Sequence, residues 1–336
     1  MTRALKAETK ILDVVKCSQC GKAQSVIELR YCGLFLCRAC FARFFEKRVR
    51  KTIAENHYLQ ENDRICVGLS GGKDSVVALF LLNEFNARTG GRANIFALTI
   101  DHGIRGYDER LMKNAKSICE TTGVRQYAFS FKQEMGHGVD EMAKVRPGLC
   151  NCGVFRRYLL NKKARELGAT KLATGHNLDD EAESVLMNFI TGDVRRIMRG
   201  EGLVFSSKFI KRIKPLRMCP EQEVLFYARL KFPNTDFSPT CPYRGEVIRM
   251  DVKRMIDEFE TLHTGMKYQI LRSSEKFREA LLGHQTVVKN INECEFCGEP
   301  TSGRICNTCQ LKIQTVEIRE AESSLSSDQG ESSNQC

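Results

Sequence analysis

The chain has 336 residues, 42% of them hydrophobic, enough for one large domain with small modules or for two domains. It carries 52 basic against 41 acidic residues, and a net charge of +11 favours an anionic partner, nucleic acid first, although the charge can also serve solubility alone. The opening MTRALKAETK lacks the apolar region of a secretion signal and no apolar run is long enough to span a bilayer, so a cytoplasmic protein is expected, one whose sixteen cysteines are not disulfides.

Cys17, Cys20, Cys37 and Cys40 come first, spaced C-x2-C-x16-C-x2-C. Two thiolate pairs can wrap one tetrahedral ion. Four sulfur ligands with no open position suit a structural zinc, with a rubredoxin-like iron as the lesser alternative. Cys32 competes with Cys37 for the third place but fits the spacing less well. Residues 1–42 are therefore expected to form a zinc module with a ragged start. Residues 43–63 follow as a linking basic helix. The spacing of Phe44, Phe45, Val49 and Ile53 predicts helix over 41–58.

An α/β domain is expected over 64–245. ICVGL predicts a buried strand, VVALFLLNEF a helix and NIFALTIDHG a second strand. Residues 107–122 suit a helix, RQYAFSF a third strand, and 132–149, with Gly136, Gly138, Pro147 and Gly148, a loop. FRRYLLNKKARELG predicts a helix closed by Gly168. TKLATGHN predicts a fourth strand, and LDDEAESVLMNFITG a helix with acids in its first turn, where the helix dipole favours them. Alternating strands and helices give a parallel sheet with helices on both faces. Ligands of such sheets bind beyond the carboxyl ends of the strands. SGGKDS, DHG and GHNLDD all fall at predicted strand ends, so a single site is expected there.

SGGKDS, residues 70–75, departs from the Walker loop, which separates its first Gly from Gly-Lys-Ser/Thr by four residues. The physics is similar. Gly71 and Gly72 let backbone N–H groups approach an anion, a helix N-terminus adds donors and dipole, and Lys73 supplies a point charge. Asp74 is placed to hold magnesium, and Ser70 and Ser75 flank the turn. The plainer alternative is a Gly-rich turn with no ligand.

Beyond residue 193 the pattern is less regular. Arg195, Arg196, Arg199, Lys208, Lys211, Arg212, Lys214 and Arg217 face one acid, Glu201, as an RNA-backbone contact or as a solvated face. Helices are predicted over 220–231 and 246–262, the second within a helical extension spanning 246–290. Cys294, Cys297, Cys306 and Cys309 form C-x2-C-x8-C-x2-C, a second zinc module over 291–312. Residues 313–336 are Ser- and Glu-rich and expected to be disordered.

SGGKDS resembles the loop of the N-type ATP pyrophosphatases, which split ATP between its α and β phosphates and adenylate a substrate oxygen. ATGHNLDDEAESVLMNF, NCGVFRR and the CPY at 241–243 are similar to three further blocks. With cysteine modules at both ends, the chain resembles the tRNA 2-thiolation enzymes of the TtcA/TtuA family, and within it the archaeal and eukaryotic cytosolic thiolases of the wobble uridine. DHGIRGYDE leans the same way. The resemblance covers about residues 15–312. It implies a PP-loop ATP pyrophosphatase fold, with ATP and Mg2+ held by Ser70, Gly71, Gly72, Lys73, Asp74 and Ser75. Asp101 and His176 are further nucleotide contacts, although His176 could equally orient its turn. Asp74 and Asp179 are the implied catalytic acids, with Asp180 beside them, though either acid after Leu178 could serve as a helix cap. The implied reaction adenylates the uridine C2 oxygen, and sulfur then displaces AMP at C2.

In that family a C-x2-C pair and one later cysteine hold a [4Fe-4S] cluster. Cys152 and Cys241 match two of the positions. The third falls at Leu149, and Cys150 gives C-x-C instead. Cys150, Cys152 and Cys241 are the expected cluster ligands, Cys152 and Cys241 being also catalytic. A cluster-free persulfide relay through Cys152 and Cys241, near Arg156 and Arg157, is the alternative; plain buried thiols are a third. The implied partners are tRNA, a ubiquitin-like sulfur carrier or free sulfide as donor, and a second subunit, identical or paralogous. Rival readings are thiolation of another tRNA uridine or of a cytidine, lysidine synthesis, and a non-catalytic tRNA-binding subunit. The central cysteines argue against lysidine synthesis, and the intact SGGKDS and GHNLDD blocks against a dead subunit.

Overall fold

The structure, a computed structural model, describes residues 15–145, 152–193, 196–197, 208–243, 248–282 and 292–313. A five-stranded parallel sheet organises it, in the order β5-β4-β3-β6-β7. The chain enters at the middle strand, β3 (Arg64–Gly68), and passes through α2 (Lys73–Arg88) to β4 (Asn94–Asp101). It continues through α3 (Asp108–Thr122) to the edge strand β5 (Arg125–Ser130). From there α6 (Cys152–Glu166) returns it to the other side of β3, where β6 (Lys171–Ala173) pairs Val67 with Ala173. Helix α7 (Leu178–Ile190) then leads to β7 (Lys211–Ile213). The order of strands reverses between β3 and β6, and this is where open parallel sheets bind ligands.

The uniformly apolar run of β3 reflects burial on both faces. Ile65 and Val67 pack into one layer with α2, while Cys66 packs into the other with Phe96, Leu98, Ala164 and Leu172. Each such aliphatic side chain stabilises the fold by roughly 1.5–3 kcal/mol. The strand's start is fixed by the buried Lys171, whose Nζ donates to the carbonyls of His57 and Tyr58, to Gln60 and to Asp63.

The sheet, its helices and the strand-end positions of the three polar turns are as expected. Two local expectations are corrected. Of the loop expected over 132–149, the described part forms two short helices, α4 (Phe131–Met135) and α5 (Val139–Val145), joined through 136–138, while 146–149 lie outside the described residues. The glycine that suggested a loop, Gly136, is the left-handed C-cap of α4, and Ser130 N-caps it by accepting from Gln133 N. Within the basic stretch lies β7, an edge strand whose charged sequence KRI hides its pairing with β6.

The N-terminal module carries the hairpin β1 (Ile27–Leu29) and β2 (Leu34–Leu36) and continues into α1 (Arg38–Glu55). Helix α1 does not hang free. Phe45 stacks on Tyr227 of α8 (Glu221–Lys231) with ring centroids 4.5 Å apart, and Phe41 meets Phe226 edge-on at 4.9 Å. Cys17, Leu36, Cys37 and Cys40 belong to the same core as the sheet. Helices α9 (Ile248–Leu262) and α10 (Met266–Leu282) pack against α7. The C-terminal module, with strands β8 (Asn292–Glu293) and β9 (Pro300–Thr301), docks on α6 through the Arg165–Glu299 ion pair. The expected disorder of 313–336 falls outside the described residues, apart from residue 313, which is helical.

Candidate functional site

Two turns meet at the switch point, one after β3 and one after β6. In the first, Ser75 Oγ accepts from Ser70 N at 3.1 Å and donates to the Gly72 carbonyl at 3.0 Å, so the two serines hold the loop in shape. Gly71 has φ +82°, and a Cβ there would strike the Leu111 carbonyl of α3. Only glycine combines that backbone with that contact. In the second turn, a Cβ on Gly175 would lie 2.7 Å from Asp74 C and Ser75 N. The turns thus touch backbone to backbone.

Asn177 stitches them together. It N-caps α7 by accepting from Asp180 N at 3.1 Å, and Asp180 accepts in return from Asn177 N at 3.2 Å. Its Nδ2 reaches across to Asp74 Oδ1 at 3.0 Å. Asp180 is therefore the capping acid. Asp179 is buried and doubly engaged, accepting from Glu221 N at 2.8 Å and from Lys267 Nζ. It ties α7 to α8 and α10.

Lys73 Nζ lies 2.9 Å from Asp74 and 3.0 Å from Glu221. From there charges alternate without a break: Glu221 to Lys253 at 2.8 Å, Lys253 to Glu183 at 3.5 Å, Glu183 to Arg249 at 2.8 Å, Arg249 to Asp180 at 3.0 Å. Burial would raise the Glu221 carboxyl, but the bonds and charges of Lys253 and Lys73 outweigh it and hold its pKa at about 2. Burial pushes the Asp74 carboxyl up despite Lys73 and Asn177. A phosphate entering this loop competes with Glu221 for Lys73. Glu221, Arg249, Lys253 and Lys267 were not anticipated from sequence; they lie far along the chain in ordinary amphipathic helices.

His176 bonds Thr174 Oγ1 at 2.7 Å through Nδ1, and its surface stays open to solvent. Its pKa is drawn down, to about 4, first by the protein crowded around the ring and then by the charge of Lys214. It lies in an open recess, neutral near pH 7. Beside it Arg212 is crowded by protein, and near Arg212 the Arg157 guanidinium is crowded by protein and then by the charges of Arg156, Arg212, Arg196 and Arg249. Such concentrated positive charge suits an anion. Asp101, at the end of β4, accepts from Gly103 N at 2.8 Å. The neighbouring His102 is held by buried Asp108 at 2.9 Å, which also accepts from Ile104 N.

Cys152, the first residue of α6, and Cys241 are both half-buried against one apolar cluster that contains Phe131, Phe155 and Leu159. Tyr107 joins them. Burial raises its phenol pKa, followed by the charges of Cys241, Asp108 and Cys152 against Arg156. A water-poor thiol pair of this kind fits a thiolate-ligated cluster. Cys150 lies outside the described residues.

Both four-cysteine sets come together, each with its sulfurs within 4.8 Å of one another. Tetrahedral zinc with bonds of about 2.3 Å places sulfurs about 3.8 Å apart. Cys20 and Cys37 are 4.0 Å apart, Cys297 and Cys306 3.6 Å. At Cys17 burial disfavours the thiolate, but N–H groups of Cys37, Cys20 and Gln19 overcome it and draw the pKa to about 6. Cys32 is exposed, bonding only toward the Leu29 carbonyl at 3.5 Å, so Cys37 completes the set. Of the basic residues on α1, Arg48 turns inward to Glu223 at 2.9 Å and to Tyr31, leaving Arg38, Arg43, Lys47, Arg50 and Lys51 exposed. Among the described residues no helix is long and apolar enough to cross a membrane.

A family model described as the PP-loop domain matches residues 42–237. The tRNA-5-methyluridine(54) 2-sulfurtransferase of Pyrococcus horikoshii is 34% identical, over 88% of this chain and 93% of its own. Cytoplasmic tRNA 2-thiolation protein 1 of Saccharomyces cerevisiae is 32% identical, over 95% and 91%. The solved structure of the U34-tRNA thiolase NcsA from Methanococcus maripaludis with its [4Fe-4S] cluster is 35% identical; it superposes with a TM-score of 0.75, over 89% of this chain and 96% of that one.

Proposed function

The chain belongs to the PP-loop family of tRNA 2-thiolation proteins, and on that premise we propose that it converts a tRNA uridine, the wobble uridine first, to 2-thiouridine in the cytoplasm. The observation that carries this reading is the pairing of two sites at one sheet edge: the locked turns around Lys73 and Asp74, and the half-buried thiols of Cys152, at the start of α6, and Cys241 on one apolar cluster.

The backbone N–H groups of the 70–75 turn, the N-terminus of α2 and Lys73 bind the ATP phosphates. Asp74 and Asp180 are the acids available for Mg2+. The uridine C2 oxygen attacks the α-phosphorus. The O–P bond forms as the bond to the β-phosphate oxygen breaks, and Lys73 meets the charge that develops on the departing pyrophosphate. Hydrosulfide then adds at C2, the C2–O bond breaks with its electron pair leaving on AMP, and the sulfur loses its proton. Water accepts that proton, and His176 serves as a nucleotide contact. Asp179 works by position, fixing α7 against Glu221 and Lys267. Cys150, Cys152 and Cys241 would hold a [4Fe-4S] cluster, which when bound offers an iron site for sulfide. The two outer cysteine sets take structural zinc. Free sulfide or the thiocarboxylate of a ubiquitin-like carrier supplies the sulfur.

The test uses full-length protein prepared without oxygen, unmodified tRNA, ATP-Mg2+ and sulfide, with AMP release and nucleoside mass spectrometry as readouts. Wild type is expected to give both AMP and 2-thiouridine; Cys241→Ala is expected to lose the thionucleoside. AMP without thionucleoside from wild type would remove the sulfur half of the proposal, and neither product would remove both halves.

A further inference from the structure

The far end of α7 plays no part in the adenylating site, yet it is unusually built. Phe189 is 42% exposed and Ile190 53%. Phe277 of α10, 46% exposed, stands edge-on to Phe189 with centroids 5.5 Å apart. Aromatic rings normally bury most of a large apolar area, so two adjacent half-bare rings on the surface mark a contact site.

Between the same two helices lies a pocket of about 90 Å³, room for several waters, lined among others by Ser184, Asn188, Arg196, Lys214, Arg217 and Arg278. Lys214 is answered by Glu181 at 2.6 Å and Arg217 by Glu275 at 2.6 Å. Half-buried Arg278 has no acid partner among the described residues. Arg196, answered by Asp193 at 3.1 Å, belongs both to this pocket and to the arginine group around Arg157, and Lys214 of the same pocket lies near enough to His176 for its charge to be felt there. Cations thus run from the aromatic pair to the adenylating turn. Along α7, Leu178 to Phe189 spans about 16 Å, a few nucleotides of unpaired strand.

We propose that Phe189 and Phe277 form a stacking platform for an unpaired RNA base near the target uridine, with Arg278 and the adjoining pocket holding a neighbouring phosphate. Exposed rings beside cations are the ordinary means of gripping single strands, because every base has a face to stack and every nucleotide a phosphate. The charge of the surround selects RNA over a second copy of this chain or another protein: an apolar partner would have to cover Arg278 without answering it. The proposal rests on the tRNA reading above.

The experiment measures equilibrium binding of unmodified tRNA to the full chain over a salt series, with ATP affinity measured in parallel. Phe189→Ala and Phe277→Ala are expected to weaken tRNA binding about 5- to 100-fold each, with an unchanged salt slope. Phe189→Tyr should restore it. Arg278→Gln should weaken binding and lower the salt slope by about one, with ATP affinity kept; a loss of ATP affinity would instead assign the pocket to nucleotide and overturn the proposal. Both rings are surface residues, and an unchanged Tm identifies variants that fold. If wild type binds no tRNA, the broader reading fails. If wild type binds and thiolates tRNA while both alanine variants bind it equally well, only the platform fails. A change in sedimentation without a change in tRNA affinity reassigns the patch to a protein interface.

Discussion

Gly175→Ala isolates the contact between the two turns. The Gly175 backbone lies outside the left-handed region, so alanine meets no dihedral strain and the effect is contact alone. Its Cβ would lie 2.7 Å from Asp74 C and Ser75 N, where ordinary contact begins at 3.4 Å. Those atoms are helix backbone and cannot rotate aside, so the turns must part by about 0.7 Å. Overpacking of this kind costs about 1–3 kcal/mol, a fall in Tm of about 1–4 °C for a chain of this size. A misplacement approaching 1 Å at a reacting centre costs up to about 100-fold in rate. We therefore expect kcat/KM for AMP release to fall about 10- to 100-fold while the variant stays folded at assay temperature. Gly72→Ala is the companion. Its φ is −77° and its Cβ would meet only Ser70 Oγ at 3.5 Å, so the fold should accept it apart from a poorer helix cap. It fills the approach of a phosphate, however, and should raise the KM for ATP. Wild-type turnover by Gly175→Ala would refute the claim that turn spacing sets the site. Wild-type ATP affinity in Gly72→Ala would mean that no phosphate comes to this loop.

Further outcomes can be checked separately. Metal analysis should find zinc at two per chain in wild type and in Cys32→Ser, and one per chain in Cys37→Ser; equal losses in both serine variants would contradict the ligand assignment. The Glu221 carboxyl titrates near 2 in the fold against 4.5 when free, so it stabilises fully above pH 4.5 and its contribution is lost as pH falls toward 2. The Tm gap between wild type and Glu221→Gln should therefore narrow across that window, and a gap that stays constant down to pH 2 would argue against the pairing with Lys73 and Lys253. Phe45→Ala, at a fully buried ring stacked on Tyr227, should cost about 3–5 kcal/mol in denaturant unfolding; a loss below about 1 kcal/mol would show that α1 is not part of the core.

The local signals in the sequence were those in which one residue type answers one physical demand. Val67 and its neighbours announced a buried strand, Gly71 and Gly72 a tight turn between strand and helix, and Cys37 its metal set. What stayed hidden depended on long-range packing. Glu221, Lys253 and Lys267 look like any charged residues on amphipathic helices until α8, α9 and α10 close over α7. Arg48 belongs to a basic helix by composition, but Glu223, 175 positions later, turns it inward. Gly136 reads as loop because a glycine that caps a helix and one that breaks a chain look alike in sequence.

The docking of α1 on α8 also sets an order of events during synthesis on the ribosome. Phe41 and Phe45 wait for Phe226 and Tyr227, some 180 residues behind them. At ordinary elongation rates that interval is on the order of ten to forty seconds. The thiols of the first module need no such wait, since Cys40 completes the set at once. Metal capture would thus be the earliest event able to fix the start of α1, before its partners on α8 exist, and a cell short of metal would meet the chain first as a misfolding problem and only later as a loss of tRNA sulfur.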